Sequence, residues 1–169
     1  MNQPAPALRS WWKRHVIDLI VAQLRQGITP EKIALTVTLG IVLAMFPILG
    51  STTLLCAGAA LWLRLNQPLI QLVNYLCYPL QFLMLIPLYR AGEWLGAPHL
   101  SLSIPQLMDR FRAGPLQFIA DFAGVALGGV GAWCLGAPLV GAVLYFMLRP
   151  PLRLLAARTV GIRKIPTRS

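Results

Sequence analysis

Three long uncharged stretches set the pattern of this chain. The first covers residues 33–63, 31 positions without a charge; the second is 69–89, with 21; the third is 122–148, with 27. Mostly apolar runs above about 18 residues read as membrane-embedded. As one straight helix the first would reach about 46 Å, against a hydrocarbon core of about 30 Å. It also carries a breaker in its middle, Phe46-Pro47-Ile48-Leu49-Gly50-Ser51-Thr52-Thr53. Pro47 removes a backbone donor and clashes with the preceding turn, and Gly50 adds backbone freedom. Backbone freed in this way must be buried in protein or line a wet cavity. The two halves, 33–46 and 54–63, are each too short to cross a bilayer. They predict either a re-entrant hairpin or one kinked, tilted span.

The flanks have a different period. After a Pro/Ala/Asn/Gln arm at 1–7, Leu8, Trp12, Val16, Leu19, Ile20 and Leu24 recur at helical spacing, with Ser10, Arg14, Asp18 and Arg25 on another face. Trp11 and Trp12 beside Arg9, Lys13 and Arg14 fit an amphipathic helix lying in the membrane interface. A cytoplasmic helix packed on the membrane part is the alternative. Gly27 ends this helix. Thr29-Pro30-Glu31 starts the next, with Thr29 as N-cap, Pro30 at the first helical position and Glu31 favourable in the first turn.

Within 69–89, Gln71, Asn74, Tyr78 and Gln81 share one face if the helix continues past Pro79. Such groups serve as hydrogen-bonding glue between helices or line a polar pathway. Residues 64–68 form a polar connector with Arg64 and Asn66. Beyond Trp94, a plausible interface anchor, 97–114 has the composition of an extramembrane loop, with Ser103-Ile104-Pro105-Gln106 starting a short helix and Gly114-Pro115 ending it. In the third stretch Gly124, Gly128, Ala132 and Gly136 repeat every four residues, a stripe that lets another helix approach closely, within the chain or in a homo-oligomer. Gly136-Ala137-Pro138 is read as a further break. Residues 152–160 are expected on the membrane surface.

Composition agrees with this pattern. The chain is 57% hydrophobic and 12% charged, about half the charge of a soluble domain. The fold class expected is all-α: a polytopic membrane helical protein with Pro/Gly-broken helices and an N-terminal interfacial helix. Its regions are 1–32, arm and interfacial helix; 33–98, membrane region; 99–121, extramembrane loop; 122–148, membrane segment; and 149–169, basic tail. The net charge of +10 flanks apolar segments without forming a face with stacking aromatics. It therefore points to anionic phospholipid headgroups and not to nucleic acid. Cys56, Cys77 and Cys134 all lie in apolar segments without metal-ligand spacing and are expected to be small core residues. Residues 1–32 lack the order of a cleavable signal peptide.

Charge also constrains topology. Residues 1–32 hold five Lys/Arg and 149–169 hold six, while 90–121 balances three cations against three acids. Both basic ends belong in the cytoplasm, which requires an even number of crossings. A re-entrant hairpin at 33–63 satisfies this: 69–89 crosses out and 122–148 crosses back. Splitting the last segment at Pro138 is a second solution.

The ordered pattern Thr29-Pro30-x-x-Ile33-Ala34, Gly40, Phe46-Pro47-x-x-Gly50, Leu63-Arg64-x-Asn66-x-Pro68, Asn74, Pro79, Pro87-x-Tyr89 and Gly92 resembles the DUF2062 family of small bacterial membrane proteins of unknown function. It departs from the commoner family pattern at Ser51-Thr52 and at Tyr78-Pro79-Leu80-Gln81. The resemblance implies a multi-pass protein of the bacterial inner membrane and supplies no activity.

Catalysis is not expected. His15 and His99 lie outside the apolar stretches, no nucleophile has a base nearby in sequence, and no acidic pair, metal-ligand cluster or phosphate loop is present. No cofactor is implied. Two functions remain. Transport or translocation of a small molecule or lipid would use the broken helices, with Pro47, Gly50, Ser51, Thr52, Asn74, Tyr78, Pro79 and Gln81 as its polar site. A membrane scaffold in envelope biogenesis would use the glycine stripe and basic tails, with an envelope protein or a second copy as partner.

Overall fold

The structure is a computed structural model that describes residues 28–99 and 114–161, with isolated positions at 22, 109 and 112. Among the described residues all regular structure is helical. The expected interfacial helix at 8–26 and the short helix begun at Ser103 lie outside the described residues.

Helix α1 is Pro30–Ala44. It starts where the capping pattern predicts: Thr29 Oγ1 accepts from the Lys32 N–H at 3.4 Å, and Pro30 opens the first turn. It ends before Pro47, which has no N–H with which to continue. The turn through Ile48 and Leu49 places Gly50 at φ +84°, a left-handed conformation that suits glycine. Helix α2, Thr52–Trp62, then returns. It closes in a Schellman turn in which Leu65 N–H reaches Ala60 O at 2.8 Å and Arg64 N–H reaches Leu61 O at 3.4 Å. Arg64 holds the left-handed position, φ +52°, where glycine is usual.

Asn66 caps helix α3, Gln67–Leu76, through Oδ1 and the Leu69 N–H at 2.8 Å. Helix α4, Tyr78–Trp94, follows after a bend of 63°. Pro79 accounts for the bend, since it cannot bond to Tyr75 O and its ring crowds that carbonyl. Helix α4 ends in a second Schellman turn, Ala97 N–H to Gly92 O at 3.1 Å, here with Gly96 at φ +93°. Helix α5, Pro115–Gly161, has 47 residues, about 70 Å.

Three expectations change here. Pro138 does not break the third stretch, because α5 runs through it and through Pro150 and Pro151. One missing hydrogen bond is tolerated where the flanking turns keep theirs, so the split at Pro138 is withdrawn as a route to an even number of crossings. Pro115 starts a helix: 115–121, expected as loop, is the first part of α5. Residues 152–160 continue the same rod and form no separate surface element.

Contacts fix the order of the rods. Thr53 meets Asn74 while Ala57 meets Gln67, so α2 runs antiparallel to α3. The first turns of α1 lie beside Leu65 and Asn66 while Gly40, further along, packs on Val73 and on Ile70 O, so α1 and α3 lie side by side in the same direction. Helices α1 and α2 are therefore an antiparallel hairpin with Pro47 to Ser51 at its tip. Both hairpin ends share one end of the molecule, where Lys32, Arg64 and Asn66 line one cavity. Helix α5 reaches the same end: Arg153 Nε lies 2.7 Å from Glu31 Oε1, with Arg149 at 3.8 Å. The start of α1 and the end of α5 are thus together. The opposite end holds Trp94, His99 and Gly124. There Glu93 is bound by His99 at 2.9 Å and Arg90 at 3.2 Å, which together hold its carboxyl below the usual range.

Two buried clusters hold the hairpin. One joins Ile33, Ala34, Leu69, Val73 and Leu152; the other joins Cys56, Ala60 and Ile70. The outer surface is apolar. Leu61, Trp62 and Trp94 are 72%, 85% and 91% exposed. Within α5, residues Phe122–Ala157 are long and apolar enough to cross a membrane, and none of the apolar window is buried inside the protein. Helices α3 and α4 pass the same test only as a bent pair.

Candidate functional site

The tip of the α1–α2 hairpin concentrates the polar groups of the apolar stretches. Ending α1 at Pro47 leaves backbone carbonyls without helical partners; side chains from α4 and α5 supply donors, and α3 bonds to the start of α2. From α5, Trp133 Nε1 donates to Val42 O at 3.1 Å. From α4, Gln81 Nε2 donates to Phe46 O at 3.1 Å and the Tyr89 hydroxyl to Pro47 O at 2.9 Å. From α3, Gln71 Nε2 donates to Thr53 O at 3.0 Å, and Asn74 Nδ2 lies 3.5 Å from Thr53 Oγ1. Ser51 Oγ donates to Ile48 O at 2.7 Å within the turn. The Phe46 and Trp133 rings meet edge to face at 5.1 Å, which seats the indole beside the break.

Pro47, Thr52, Asn74 and Gln81 are buried here. Three acceptors among these helices, Thr52 Oγ1, Gln71 Oε1 and Asn74 Oδ1, are buried without a protein partner. Ser51 and Gly50 lie in the turn itself, while Tyr78 and Pro79 lie away from it. Gly50 is exposed and its missing side chain faces open space. Pro79 is exposed, and Tyr78 packs edge to face on Tyr75 at 5.4 Å. The supposed single face of Gln71, Asn74, Tyr78 and Gln81 does not exist, because the bend at Cys77 re-aims α4. Gln71 and Asn74 serve α2, and Gln81 serves the end of α1.

Tyr89 and Trp133 were not read from the residues as part of this site. Tyr89 entered only through the family pattern. For Trp133 the available signal was an indole N–H deep in an apolar stretch, which needs an acceptor.

The glycine stripe divides. A Cβ on Gly92 would lie 2.5 Å from the Gly128 carbonyl carbon, and one on Gly128 would collide with Ala97 Cβ. Gly124 packs on Pro98. These positions form an internal α4–α5 seam, extended by Gly129 under the Tyr89 ring. Ala132 is half-buried, and Gly136 contacts nothing across from it. Gly136 instead lines an apolar cavity of about 150 Å³ with Val42, Met84 and Trp133. On the other side of Trp133 a groove of about 460 Å³ runs between α1 and α5, past Thr38, Leu39, Ala137, Pro138 and Gly141. Of the cysteines, Cys56 is buried, Cys77 half-buried and Cys134 exposed, so the core reading fails for Cys134. Among the described residues no group of three His, Cys, Asp or Glu could hold a metal ion.

The model of an uncharacterized protein family conserved in bacteria, DUF2062, matches residues 13–160. The chain belongs to the DUF2062 family. The match extends the resemblance, carried by the first two apolar stretches, across α5 as well. No curated protein and no solved structure matches the chain. For this DUF2062 chain the chemistry must therefore be argued from the hairpin tip, its flanking grooves and the basic end.

Proposed function

We propose that this DUF2062 protein is a multi-pass protein of the bacterial inner membrane that handles lipid or a lipid-like molecule. In this reading α1 and α2 form a re-entrant hairpin. The bent α3–α4 pair crosses outward and α5 crosses back, with both termini cytoplasmic. The shared end of α1 and α5 supports the even number of crossings that the charge distribution requires. The unburied apolar surface of α5 supports a lipid environment.

The observation that carries lipid handling is the groove between α1 and α5. It is apolar and opens laterally on the face that would meet acyl chains, which makes an acyl chain its natural occupant. An aqueous pathway along the polar stripe has less support, because those donors are engaged on the broken backbone. The second reading, a non-catalytic scaffold for an envelope partner, draws on the same engagement: the stripe acts as glue between helices.

Two experiments test this. In a cysteine-free background, cysteines at Trp62 and Thr167 should label from the cytoplasm and one at His99 from outside; Trp62 and Thr167 labelling from outside with His99 labelling from the cytoplasm would end the re-entrant reading. Native mass spectrometry of the purified chain should find bound phospholipid, and Gly141→Phe, which fills the groove, should remove most of it. Unchanged lipid in a folded Gly141→Phe protein would favour the scaffold.

A further inference from the structure

A second cavity, of about 170 Å³, lies at the basic end on the opposite flank of α1 from the groove. The start of α1 and the connector from α2 to α3 form two of its sides, through Ile28, Lys32 and Thr36 on one and Arg64, Leu65 and Asn66 on the other. Two cationic residues thus share one small concavity. Neither forms an ion pair among the described residues, and the nearest acid in sequence, Glu31, is taken by Arg153 and Arg149. Both side chains are exposed and cationic, so an anion entering the cavity meets two positive groups. A phosphate is the small anion that both lysine and arginine bind well.

Arg64 adds an independent argument. Its place in the α2 Schellman turn is the place Gly96 takes in the α4 turn. A non-glycine residue there carries about 1–2 kcal/mol of backbone strain. The turn alone would be better served by glycine, so the arginine side chain accounts for the residue.

We propose that the cavity between the start of α1 and the α2–α3 connector binds a phosphate group held by Lys32 and Arg64, presented by an anionic lipid headgroup or by free phosphate.

The test uses the purified full chain in two arms. In nanodiscs, binding to phosphatidylglycerol is compared with phosphatidylcholine, whose phosphate is shielded by its own cation. In detergent, inorganic phosphate is titrated by calorimetry. Lys32→Gln and Arg64→Gln should each lower the anionic preference about fivefold, and the double variant about twenty-fold. Arg64→Gly removes the charge while relieving the turn, so it separates loss of binding from loss of fold. Arg90→Gln, at the other end of the molecule, is the control for net charge. Preference in the lipid arm alone assigns the phosphate to a headgroup, and binding in the calorimetric arm alone assigns it to a free anion. Absence of both, or an equal loss in Arg90→Gln, overturns the proposal.

Discussion

Helix α4 meets the rest of the protein at two places built in opposite ways. Around Pro47 the contact is polar: Gln81 and Tyr89 reach across to carbonyls of an interrupted helix. Around Gly92 it is bare backbone, with Gly128 so close that no side chain fits between. The difference follows from what each partner presents. A broken helix presents unpaired carbonyls, and in apolar surroundings each must be given a donor. An unbroken helix has nothing to satisfy, so closeness alone gives the contact its energy. Tyr89 belongs to both, since its hydroxyl caps Pro47 while its ring covers Gly129.

The bare seam should be the more brittle of the two. Gly92→Ala forces backbone apart and is expected to cost about 3 kcal/mol, seen as a large fall in the thermal midpoint of the detergent-solubilised protein. Gly136→Ala, on the same stripe but facing open space, should be neutral or stabilising by up to about 1 kcal/mol. Equal losses at both positions would mean that the stripe works as a unit. At the polar contact, Gln81→Leu strands Phe46 O and should cost about 1–3 kcal/mol. Tyr89→Phe keeps the ring and should cost about 0.6–1.7 kcal/mol. Wild-type stability in both would show that the hairpin tip holds without them. Arg64→Gly should raise stability by about 1 kcal/mol; a loss would mean that the arginine supports the fold and not a ligand.

The smallest effect is expected from pH. Arg153, hydrogen-bonded to Glu31, is the main reason the Glu31 carboxyl titrates below its ordinary value of 4.5. A lowered folded-state pKa stabilises above the unfolded value and is lost as pH falls through the folded one. The tie between α1 and α5 should therefore be intact at neutral pH and loosen below about pH 4.5. The pH dependence should vanish in Glu31→Gln, read from cross-linking between cysteines placed near positions 30 and 156.

Much of this was legible in the residues. The break at Pro47 and the Thr29 cap follow from local chemistry that tertiary packing had no reason to override. The polar positions were visible too, but their targets were not. Whether Gln71 and Gln81 face one way depends on the 63° bend, and the weight of a proline in that bend cannot be read from its presence. Pro79 bends its helix and Pro138 does not. The two lie in similar apolar runs, and both are exposed. Trp133 was missed because its acceptor, Val42, is distant in sequence, and no periodicity connects the two.

The hairpin tip has one more property. A helix carries roughly half a negative charge at its C-terminus and half a positive charge at its N-terminus. Helix α1 arrives at the tip by its C-terminus and α2 departs by its N-terminus, so the two partial charges sit side by side and largely cancel. The reversal is close to electrically neutral with no charged side chain near it. In the proposed topology that neutrality removes the need for a counter-ion deep in the bilayer.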